Sequence, residues 1–134
     1  MHTGKEQFHT LMIPLHSYLQ LSREAYSTYL SGKIFSNAET LWLANRKVHE
    51  HLLDNTGYIP AELQDDTLIL LRHYDGWFAQ FHEHMMKWKP SPGDEFIFHR
   101  TGDQSAFPIA AEERILAYYE KLKQQIESEV LLKK

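Results

Sequence analysis

The chain has 134 residues, 43% of them hydrophobic and 13% aromatic, which suits a single domain over residues 1–134 with one compact core. A formal charge of −4 and a pI near 6.1 exclude the concentrated positive field that nonspecific phosphate binding needs, so nucleic acid is not an expected partner. The absence of cysteine removes disulfides, thiol nucleophiles and thiolate metal sites together, and fits a reducing, cytoplasmic setting.

The first residues, Met1 to Glu6, lack the basic flank and apolar run of a signal peptide. The longest purely aliphatic stretch is Leu68 to Leu71, so no membrane span is expected.

The first periodic block sets Phe8, Leu11, Met12, Leu15, Tyr18, Leu19, Tyr26 and Tyr29 at three- and four-residue intervals, which places them on one helical face. Pro14 interrupts it by lacking an amide hydrogen and crowding the preceding turn, so the spacing predicts a helix over 10–31 that starts near Thr10 or kinks there. Gly32 supplies a stop, as a residue able to take the left-handed conformation.

Ser36 and Glu39 have the spacing of a capping box, predicting a second helix over 37–55 with Leu41, Trp42, Asn45, Val48, Leu52 and Leu53 on its buried stripe. The third block, predicted as a helix over 61–88, carries the strongest stripe, from Leu63 through Leu70, Tyr74, Trp77, Phe81 and His84 to Trp88, with Trp77 at its centre. Asp65 and Asp66 near its start and Lys87 and Lys89 near its end suit the helix dipole, and Pro90 ends it.

The following connection, 89–107, exceeds the roughly 12–15 residues usual for a compact domain. Phe96, Ile97 and Phe98 make its middle apolar and favour extended backbone. A fourth helix over 108–131 opens at Pro108 and carries Ala111, Ile115, Tyr118, Tyr119, Leu122, Ile126 and Val130. The expected fold is all-α, an up-and-down antiparallel four-helix bundle with a long, partly extended connection before its last helix.

Nine histidines in such a bundle raise the question of a metal site. No two stand three or four residues apart, and residues two apart, as in His49-Glu50-His51 and His82-Glu83-His84, point roughly 200° away from each other on a helix. No metal or other cofactor is expected. Gly-x-Ser-x-Gly, Gly-x-Gly-x-x-Gly and Lys-Ser/Thr phosphate loops are absent, and Asp75, two residues from His73, forms no acid–base pair with it.

The reading that follows is a non-enzymatic interaction or self-assembly module whose partner is another protein or a second copy of the chain. The expected contact residues are Trp88, Phe96, Ile97, Phe98, His99 and Arg100, because three consecutive apolar residues in extended backbone present apolar groups on both faces. The competing reading is a small-molecule-binding or hydrolytic bundle whose cavity is lined by Tyr74, Trp77 and His84.

Overall fold

The computed structural model describes residues 3–97 and 107–132, and among them every regular element is helical. Four helices are long: α2 (Ile13–Ser31), α3 (Phe35–Asp54), α4 (Gln64–Trp88) and α5 (Ile109–Leu132). A short turn, α1 (Gly4–Glu6), precedes them. No helix among the described residues is long and apolar enough to cross a membrane.

The first helical stretch begins earlier than the proline suggests. Thr3 accepts a hydrogen bond from the Glu6 amide at 3.1 Å and caps α1, and the backbone then passes through a π-helical segment, Gln7–Met12, into α2 without a break. In that segment the Ile13 amide reaches back five residues to the Phe8 carbonyl. The wider turn immediately before Pro14 relieves the crowding that a proline ring imposes on a regular α-helix. Gly32 is extended at φ −152°, not left-handed. Its small size serves a close approach instead: a Cβ there would stand 3.2 Å from Asn37 Nδ2, which donates to the Gly32 carbonyl at 2.7 Å.

The start of α3 corrects the capping-box expectation. The helix begins at Phe35, one residue before Ser36, and no side chain caps it. Its free amides are met from far along the chain, Phe35 by the Asp94 carbonyl at 2.8 Å and Ser36 by the Pro92 carbonyl at 2.9 Å. The same strap pairs Ile34 with Glu95 in an antiparallel bridge, and the Phe96 amide donates to the Lys33 carbonyl. Residues just after α4 thus cap the helix before it.

α2 packs most extensively on α3; α4 lies against both α3 and α5, and the N-terminal turns reach α5. Two apolar clusters result. The larger contains Leu11, Met12, Leu15, Leu19, Val48, Leu52, Leu70, Tyr74 and Ile115; the second gathers Tyr29, Phe35, Leu41, Phe81 and Phe96, with Trp42 and Trp77 half-buried at its margin. The centre of the third stripe is therefore Tyr74, wholly buried, and Trp77 stands to one side of it. On α2 the buried line runs through Ser22 and Ala25, leaving Tyr26 exposed. Leu53 and Val130 are exposed as well.

Candidate functional site

Each long helix places polar side chains in the interior, and most of them pair across helices. Ser22 on α2 donates to Asn45 Oδ1 on α3 at 2.6 Å, with both residues buried. Arg23, the next residue of α2, reaches Glu112 in the first turn of α5 with its Nε and Nη2. Arg114 of α5 turns the other way and holds Asp66 of α4 at 2.7 Å. Both carboxylates are buried, whereas both guanidinium groups emerge into solvent. An arginine suits this position because its apolar stem crosses the protein margin while its fork keeps water.

Tyr74 lies beside this polar seam. Burial pushes its phenol well above the ordinary tyrosine range, and the neighbouring Glu112 carboxylate adds to the effect. Its hydroxyl, near Ser22, has no partner in hydrogen-bonding geometry among the described residues.

One pairing corrects the sequence reading. His49 Nε2 of α3 meets Asp75 Oδ1 of α4 at 2.7 Å, an imidazole–carboxylate pair formed between helices where spacing along one helix showed none. Among the described residues no hydroxyl nucleophile is hydrogen-bonded to that ring, so the pair lacks the third member of a hydrolytic triad. His51 is held by two contacts: its Nε2 donates to the Leu11 carbonyl at 2.9 Å, and its Nδ1 accepts from Asn55 at 3.2 Å. These two contacts fix the orientation of the ring between the N-terminal stretch and its own helix. Among the described residues no group of three or more His, Asp or Glu side chains is placed to hold a metal ion.

No family model, curated protein or solved structure matches this chain. Chemistry must therefore be read from the placement of its own side chains.

Tyr74, Trp77 and His84 have different immediate neighbours. Tyr74 belongs to the larger cluster and Trp77 stacks on Phe81 at 5.5 Å, while His84 donates from Nδ1 to the Gln80 carbonyl and tilts against Phe96. A shallow open groove of about 250 Å³ lies elsewhere, lined by Glu62, Leu63, Asp66, Arg114, Ala117, Tyr118 and Lys121. It falls below the roughly 300–1,000 Å³ of small-molecule sites, and the Arg114 charge in its wall is already spent on Asp66.

The expected contact residues are also divided. Phe96 is 3% exposed, packed between Phe35 and Phe81, and its carbonyl accepts from the Tyr29 hydroxyl. Its aromatic surface is used inside the fold. Trp88 is 66% exposed with Lys87 over its ring, and Ile97 is partly exposed. Phe98, His99 and Arg100 lie outside the described residues.

The feature that the sequence reading passed over is the outer side of α4. Leu68, Ile69 and Met86 are exposed there, along with Gly76 and Ala79. The aliphatic run at Leu68 to Leu71 was its visible signal.

Proposed function

We propose that this chain is a non-enzymatic interaction module that assembles with a second copy of itself, its four long helices running up and down in antiparallel order. The order of contacts, α2 on α3, α3 on α4 and α4 on α5, supports that arrangement. The absence of cysteine supports a reducing, cytoplasmic setting.

One observation carries the functional reading: the interior polar groups are mostly consumed by one another, while large apolar side chains stand on an outer helix. Ser22 is matched to Asn45, Arg23 to Glu112 and Arg114 to Asp66, so these groups are committed to holding helices together. Catalysis needs polar groups converging on a place a substrate can reach. Exposed Leu68 and Ile69 near one end of α4 and Met86 near the other instead offer apolar area whose covering would release water.

Light scattering on the purified chain over a rising concentration series tests the reading. A particle of twice the chain mass is expected. A single-chain mass throughout would overturn it.

A further inference from the structure

We infer that the chain pairs with its copy through the outer face of α4, the two α4 helices lying antiparallel about a two-fold axis near residues 77 and 78. This rests on the self-assembly reading and names its surface.

Ile69, Arg72, Gly76, Ala79, Glu83 and Met86 follow one another at alternating intervals of three and four, the spacing of a coiled-coil seam. All six are exposed, on the side of α4 away from Leu70, Tyr74 and Phe81. α4 thus carries two stripes, and the described residues cover only one.

The second stripe is complementary to itself when reversed. In an antiparallel pair, positions equidistant from the axis fall level with each other, so Arg72 stands opposite Glu83 of the other copy, and Glu83 opposite its Arg72. No ion pair joins either residue to a described residue of its own chain. The same register sets Ile69 opposite Met86 at both ends, and Gly76 opposite Ala79 at the crossing. Opposite charges therefore meet twice and apolar ends meet twice. A parallel pairing would instead align Arg72 with Arg72 and Glu83 with Glu83, setting like charges together.

Gly76 adds a separate observation. It lies inside a regular helix, where glycine is unfavourable, yet a Cβ there would meet nothing within 4 Å. No contact among the described residues requires the missing side chain. At the crossing of two helices it allows the backbones to approach.

Charge reversal tests the proposal, because the substituted side chains are exposed and the fold does not depend on them. Sedimentation equilibrium on the full chain at micromolar to sub-millimolar concentration compares the parent with Arg72→Glu, Glu83→Arg and the double reversal. Each single reversal sets two like-charged pairs across the axis and is expected to weaken dimerisation at least tenfold. The double reversal and an equimolar mixture of the two single variants each restore both opposite-charge pairs and are expected to recover the dimer. Circular dichroism confirms that each variant remains helical. A parent that dimerises while all variants dimerise equally would reject this face and leave self-assembly standing; a monomeric parent would reject both.

Discussion

The Tyr29 hydroxyl donates to the main-chain carbonyl of Phe96 at 2.5 Å, joining the end of α2 to a strap that lies beyond α4. The bond fixes the strap at the point where Phe96 enters the aromatic cluster, and the backbone of the same strap caps α3. Tyr29→Phe keeps the ring but removes this buried hydrogen bond. It should lower unfolding free energy by about 0.5–1.5 kcal/mol in urea titration. Phe96→Ala should cost more, about 3–5 kcal/mol, because it removes an aromatic ring from a packed interior. A Phe96→Ala variant as stable as the parent would show that the ring is not part of the core.

The Arg23–Glu112 pair should behave as a unit. Arg23→Met leaves the Glu112 carboxylate buried without its partner and should destabilise by about 1–3 kcal/mol, the arginine's exposure keeping the loss modest. Arg23→Met with Glu112→Met removes the stranded charge and should recover much of that loss. Simple addition of the two single losses would refute a coupled pair.

Tyr74 predicts a response to alkali. Its phenol is raised in the folded protein, so folding holds that proton more tightly than the unfolded chain does. The stabilisation is fully present below the unfolded value of about 10 and declines as pH rises above it. Tyr74→Phe should therefore unfold less steeply with rising pH above about 10 than the parent, as followed by thermal melts. Near neutral pH the same variant should be equal to the parent or more stable, since it deletes a buried hydroxyl that has no hydrogen-bond partner among the described residues.

Lys89 ends α4 in the left-handed region at φ 44°, where a side chain is disfavoured. Lys89→Gly should raise stability by about 0.5–1 kcal/mol, the relief of the left-handed backbone exceeding the added freedom of the unfolded chain. A lower melting temperature would show that the lysine side chain contributes more than its backbone costs.

Periodicity in the sequence located the long helices because each buries one stripe, and Leu11, Leu15, Leu52, Leu70 and Ile115 are all core residues. Features made by distant partners were not legible. The α3 cap comes from Pro92 and Asp94, and Glu112 is buried because Arg23 reaches it from another helix. The His49–Asp75 pair depends on how α3 lies against α4, which spacing along either helix does not encode. Pro14 marked a disturbance but not its form, since a π-helical segment has no residue signature of its own. The outer stripe of α4 was legible in its spacing, yet the apolar stripe of the same helix, rich in large aromatics, dominated the pattern.

Self-assembly is tested by the solution mass of the full chain, followed by sedimentation equilibrium at low and at high salt. A concentration-dependent mass approaching twice 15.8 kDa is expected at low salt, with weaker association at high salt as the proposed Arg72–Glu83 contacts between copies are screened. A mass of 15.8 kDa at every concentration and both ionic strengths would contradict self-assembly.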